Sequence, residues 1–134
     1  MVECEVSRII IDEKSHEQVV VLREKGGERF LPIVIGLTEA SSIRVKFGGP
    51  QPSRPITHDL VKTIIEALEA RLDGIAVDDY KDNTFFAKMI LRTSDGRIKK
   101  IDARPSDSIA VAVRMGAPIY VEEDVLDHSS YPQP

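Results

Sequence analysis

Two short segments concentrate the side chains able to do chemistry. RPITHDL, residues 54 to 60, places Arg54, His58 and Asp59 within six positions, and IDARPSDSIAVAVR, residues 101 to 114, places Asp102, Arg104, Ser106 and Asp107 within six. Both hold an Arg-Pro pair followed closely by an aspartate. Glu39 lies at the start of a third helical pattern. Oxygen ligands suit hard divalent cations, so Glu39, Asp59, Asp102 and Asp107 form a chemically possible set for Mg²⁺ or Mn²⁺. A cation held this way activates water and offsets charge on a phosphorane. Arg54 and Arg104 would pair with phosphate, and His58 would act as general acid or as a ligand. Spacing alone does not bring the four carboxylates together.

Helix-start physics accounts for part of this pattern. Pro55 fixes its own φ and disfavours helix at Arg54. Thr57 is a good N-cap, and Ile56 with Val61 would then form a hydrophobic staple. Asp59 falls in the first turn, where the helix dipole favours a negative charge by ~0.3–1 kcal/mol. Pro105 near N1, with Ser106 and Asp107 behind it, repeats the arrangement. Arg54, His58, Asp102 and Arg104 remain outside that explanation. His58 is either a flanking surface group or a site residue. Asp102 and Arg104 are either a buried ion pair fixing the strand-to-helix corner or part of a site.

The elements that must position these residues alternate in a regular order. CEVSRIIIDE (4 to 13), HEQVVVLRE (16 to 24) and RFLPIVI (29 to 35) are β-branched runs separated by polar or Gly-Gly turns. Pro32 asks for an edge or a bulge. A helix opens near Thr38 and Glu39 and stops at Gly48-Gly49-Pro50. THDLVKTIIEALEARL (57 to 72) is the clearest helix, with Leu60, Ile64, Leu68 and Leu72 as its expected core face. Three more strands follow, GIAVDDY (74 to 80), TFFAKMILRT (84 to 93) and RIKKIDA (97 to 103). A helix at 105 to 116, a short strand at 118 to 122 and a loose polar tail from 127 to 134 complete the chain.

Three strands and a helix thus occur twice, and the copies align at a constant offset of 68. Glu39 meets Asp107, Ile43 meets Val111, Lys46 meets Arg114, Gly48 meets Gly116 and Pro50 meets Pro118. The expected architecture is one α+β domain over 1 to 126. Duplicated βββα units, about 2 to 49 and 74 to 121, form a curved, mostly antiparallel sheet, and the 57 to 72 helix is inserted between them.

Composition narrows the functional classes. The 134 residues carry a net charge of −4 and one cysteine. The acidic balance argues against non-specific coating of nucleic acid, though not against one local basic site. A single Cys4 forms no internal disulfide and no cysteine-based zinc cage. The opening MVECEV has no signal-peptide pattern, and no run reaches the ~18 apolar residues of a membrane span, so a cytoplasmic location without membrane partners is expected. Phosphate loops of the Walker type, GxGxxG and HExxH are absent, and no organic cofactor is expected.

Taken together, LPIVIGLTEASSI (31 to 43), RPITHDL (54 to 60), IDARPSDSIAVAVR (101 to 114) and PIYV (118 to 121) resemble the bifunctional nuclease, or BFN, family of bacteria and plants. The resemblance runs from about residue 2 to 126 and rests on IG-x-x-EA, RP-x-THDL and D-A-RPSD-x-I in that order. It implies a single α+β domain with a βββα duplication, hydrolysis of DNA and RNA in some members, and a homodimer or larger homo-oligomer. The motif positions carry over as Glu39, Arg54, His58, Asp59, Asp102, Arg104, Ser106 and Asp107. Ser41, Ser42, Arg44 and Lys46 make the first helix more polar than the family pattern leads one to expect, which would alter an interface or a groove. Two functions follow as expectations. One is a metal-assisted nuclease acting on both nucleic acids through their backbone. The other is a non-catalytic binding or regulatory module whose arginines, acids and histidine form an ion-pair network.

Overall fold

In the computed structural model, which describes residues 1–132, the β-branched runs alternate between two environments. Strands β1 (Val2–Ile11), β2 (Gln18–Glu24) and β3 (Arg29–Ile35) form an antiparallel meander. Along β2, Val20 and Leu22 enter the main core, while Val19 and Val21 are buried on the opposite face. Leu31, Ile33 and Ile35 of β3 face the same core and Val34 is exposed, the period-2 signature of a strand. Helix α1 (Leu37–Val45) follows, then α2 (Thr57–Ala67). A second meander comes next, β4 (Arg71–Lys81), β5 (Thr84–Arg92) and β6 (Ile98–Ala103), then α3 (Pro105–Met115), β7 (Ile119–Val121), α4 (Glu123–Ser129) and β8 (Tyr131–Pro132).

All strands belong to one sheet of order β6-β5-β4-β7-β1-β2-β3-β8. Short β7 is the seam: it runs parallel to β4 and antiparallel to β1. The two meanders therefore run in opposite senses on either side of it. Gly74 is closely packed at this seam, since a Cβ there would lie 3.0 Å from the Tyr120 ring and 3.2 Å from the Pro118 carbonyl oxygen. Bulges at Val6/Arg8 in β1 and at two places in β4 add twist. The resulting curl is strong enough that α4 packs against both β3 and β4, four places apart in the sheet. Pro32 fits as expected, because β8 pairs only with Arg29 and Phe30, leaving β3 an edge beyond them.

Helices α1 and α2 flank α3, which also rests on β4 and β5. Crowding on several sides explains why α3 buries Ile109, Ala110, Val111 and Ala112 in succession. Its small alanines admit neighbours closely, and Gly116 ends it in the left-handed conformation (φ 64°).

Three sequence expectations change. Helix α2 stops at Ala67, short of 72: Glu69 takes φ 58°, the Ala70 N–H returns to the Ile65 carbonyl, and Leu72 is a buried residue of β4. The buried side of α2 is His58, Val61 and Ile65, whereas Leu60, Ile64 and Leu68 are exposed. The segment from 127 holds the end of α4, where Arg29 binds Glu123 and Asp127 at 2.7 and 2.9 Å, and then the short strand β8. Residues 133 and 134 of the expected tail lie outside the described residues.

Candidate functional site

Three helices bring their polar residues to one cleft. It has a volume of about 990 Å³, and its walls include Glu39, Ser42 and Arg44 of α1, His58 of α2, and Arg104 and Asp107 at the start of α3. A hydrogen-bonded line runs along one wall. His58, only 6% exposed, contacts Ser42 Oγ through Nδ1 at 2.6 Å and Asp107 Oδ1 through Nε2 at 2.8 Å. With neutral imidazole both contacts are satisfied when the Ser42 hydroxyl donates to Nδ1 and the Nε2–H donates to the carboxylate. The other Asp107 oxygen accepts from Arg104 Nε at 2.8 Å, and the same guanidinium lies 3.5 Å from Glu39 Oε2. Ser42, His58, Asp107 and Arg104 thus run from the interior outward, and Arg104 turns back to the more buried Glu39.

Local folding places each member. Pro105 starts α3 with Arg104 as its extended N-cap residue, so Asp107 points from the first turn. Gly36 caps α1, and a Cβ at that position would meet Glu39 Oε1 at 2.1 Å. The missing side chain is what lets the Glu39 carboxylate fold back beside the helix start. Burial pushes the Asp107 carboxyl up, but its hydrogen bonds to Arg104 and His58 outweigh this and hold it below the usual carboxylate range. The pairing also holds Arg104 more firmly in its charged form.

The remaining sequence candidates lie elsewhere. Asp59 sits at N3 of α2, where its carboxylate accepts the Ile56 N–H at 3.0 Å and Arg114 Nε at 2.7 Å. Those two donors, the backbone first, hold it below the ordinary range. Ile56, rather than Thr57, is therefore the N-cap residue, and Asp59 supplies the cap from inside the helix. Asp102 is 80% exposed on β6 and approaches Lys88 at 3.6 Å, so it is not the expected buried partner of Arg104. Exposed Arg54 is not part of the cleft wall, and Ser106 is buried facing a separate hollow of about 620 Å³. Among the described residues, no three His, Cys, Asp or Glu side chains gather in a metal-holding group. The four-carboxylate set is not assembled; only Glu39 and Asp107 share the cleft.

Two participants carried no signal in the short motifs. Ser42 was noticeable only as a polar residue in an otherwise apolar position, since the offset of 68 sets it against Ala110. Arg114 is buried, with 1% of its side chain exposed, and it ties α3 to α2 through Asp59 while also donating to the Ala110 carbonyl. The basic class shared by Lys46 and Arg114 was its only trace in sequence.

Comparison with known proteins identifies the family. An uncharacterised protein of Mycobacterium tuberculosis is 44% identical over 126 residues, covering 94% of this chain and 74% of its own length. Bifunctional nuclease 2 of Oryza sativa subsp. japonica is 26% identical over 118 residues, and Bifunctional nuclease 1 of Arabidopsis thaliana 25% over 114. The chain covers only 36% and 35% of those plant proteins. The profile of the bifunctional nuclease domain matches residues 20–134. With that match over most of its length, the chain belongs to the bifunctional nuclease domain family.

Proposed function

We propose that this chain hydrolyses phosphodiester bonds of DNA and RNA, with the scissile phosphate seated against Asp107 and Arg104. The observation that carries the reading is the hydrogen-bonded line from Ser42 to Arg104 along the cleft wall, with Glu39 ion-paired to its end. His58 is almost fully buried, whereas Asp107 lines the cleft with a third of its side chain exposed and has carboxylate lone pairs to spare, so Asp107 is the group that meets attacking water. Kept ionised, it accepts the proton as water adds to phosphorus. His58 holds its orientation from behind, and Arg104, largely exposed, takes up charge on the phosphate oxygens. Asp59 acts at one remove by fixing α2 against α3. Mg²⁺ needs only one or two protein carboxylates when substrate phosphates supply other ligands, so Glu39 and Asp107 are the residues that would hold Mg²⁺ or Mn²⁺. The ion would supply charge neutralisation at the phosphate.

The test is digestion of plasmid DNA and of RNA by purified protein with Mg²⁺, with Mn²⁺ and with EDTA, beside Asp107→Asn and His58→Ala. Loss of cleavage in Asp107→Asn supports the reading. Equal degradation by wild type and variant traces the activity to a contaminant and sinks it.

Near-complete burial of His58 favours a second reading, a non-catalytic binding or regulatory module stabilised by this network. On that reading His58→Ala and Arg104→Ala lower the melting temperature and change no activity. Two broader features complete the proposal. The exposed apolar stripe Leu60, Ile64 and Leu68 supports a homodimer or larger homo-oligomer. The free, buried Cys4, whose thiol burial pushes up to about 11, suits a reducing cytoplasm. No helix among the described residues is long and apolar enough to cross a membrane.

A further inference from the structure

We propose that the substrate strand leaves the cleft over Phe47 as an unpaired single strand, with Arg8 and Arg44 on its phosphates. This rests on the nucleic-acid reading above and names the class of substrate the surface takes. Arg44 lines the cleft and also a neighbouring hollow of about 370 Å³, whose walls include Arg8, Phe47, Gly48 and Gly49. The two depressions therefore share Arg44 as a common wall residue.

Charge and shape both point to a nucleic-acid strand. The chain as a whole carries −4, yet this hollow is lined by two arginines and no carboxylate. Buried or half-buried arginines are matched with acids, Arg29 with three carboxylates and Arg114 with Asp59, while exposed Arg54, outside this hollow, is unpaired among the described residues as Arg8 is. Arg44 instead donates to the neutral amide oxygen of Gln18 at 2.8 Å, and Arg8 has no hydrogen-bond or ion-pair partner among the described residues. Two cations without anions, flanking one hollow, suit phosphates.

Phe47 supplies the other half of the recognition. The residue is 59% exposed just beyond the end of α1, where a large aromatic gains nothing from water. Gly48 follows at φ 90°, a left-handed turn that ends the helix beside the hollow and carries no side chain into it. The bulge at Val6/Arg8 alters the strand locally where Arg8 enters the hollow. An exposed ring beside unpaired arginines is the combination that stacks a base and holds its backbone. A duplex keeps its bases stacked inside and offers none to the ring, so the surface selects single strands.

The experiment is fluorescence anisotropy in EDTA with an end-labelled oligonucleotide, as single-stranded DNA, as single-stranded RNA and as a duplex, with integrity checked on a gel. Wild type binds both single strands about tenfold more tightly than duplex. Phe47→Ala loses about tenfold on single strands and stays within about twofold on duplex. Arg8→Gln, an exposed change without a contact to lose, lowers the salt dependence of single-strand binding by about 0.7 in log-log slope. Preference of wild type for duplex, or unchanged single-strand binding by Phe47→Ala, overturns the proposal. So does conversion of an oligomer to a monomer by Phe47→Ala in light scattering, because the ring is then a subunit contact. If wild type cleaves nucleic acid while Phe47→Ala binds as well as wild type, the strand path falls and the nuclease reading stands. If the variants lose single-strand binding and no preparation cleaves, the path stands as a binding surface and the nuclease reading falls.

Discussion

His58 is an imidazole almost sealed from water, so its removal strands two partners. His58→Ala leaves Ser42 without its bond and Asp107 with Arg104 alone. The expected cost is about 2–3 kcal/mol in urea unfolding, the range for a buried hydrogen-bonded group whose partners stay behind. Asp59 makes a sharper case. Asp59→Ala removes both the α2 cap and the one acid paired with Arg114 among the described residues, where the buried guanidinium already has Nη2 without a partner. Leaving that cation buried and unpaired is expected to cost about 3 kcal/mol, again by urea unfolding. Asp59 and Asp107 also set an acid response. Both carboxyls are held below their ordinary values in the folded chain. Their stabilisation is therefore fully present above the unfolded value of about 3.9 and is lost as pH falls through the lower folded values. Thermal melts from pH 7 downward should stay level to about pH 4 and then decline, and Asp59→Asn should flatten that decline.

Helix α2 shows what local pattern can and cannot decide. The i, i+4 series Leu60, Ile64, Leu68 is its most apolar stripe, and on periodicity alone it belongs to the core. The helix is instead turned to bury His58, Val61 and Ile65. Two contacts supplied by other helices set that rotation, His58 between Ser42 and Asp107, and Asp59 on Arg114. None of these three partners is within 15 residues in sequence, so no local window contains the reason. Pro55, Asp59, Pro105 and Gly116 behaved as their chemistry dictates, because caps and breakers act within a turn. The strand succession was legible for the same reason: alternation and turn residues are local. Where Arg104 would reach was not. It passes over the neighbouring Asp102 for Asp107 and Glu39, because β6 turns Asp102 toward solvent and Lys88.

At the scale of the whole molecule, the stripe left outside must meet either water or another chain. If Leu60, Ile64 and Leu68 join subunits, Ile64→Glu should halve the molar mass seen by light scattering while far-ultraviolet circular dichroism is unchanged. An unaltered mass would remove α2 from the interface. The Arg29 cluster is a second global device, since it holds α4 against β3 while α4 also touches β4. Arg29→Ala should lower the melting temperature and raise amide exchange in α4 ahead of the strands.

The seam at β7 also bears on how the chain reaches this state. Val2 pairs with Val121, and neither meander touches the other within the sheet until that short strand is laid between them. A contact spanning 119 positions pays its loop-closure entropy late. On a ribosome the first meander would be finished well before its partner strand existed, with the β1 edge unpaired and Val2 to Cys4 in water. Refolding should accordingly be slow, and the aggregation hazard should concentrate at that open edge until β7 arrives.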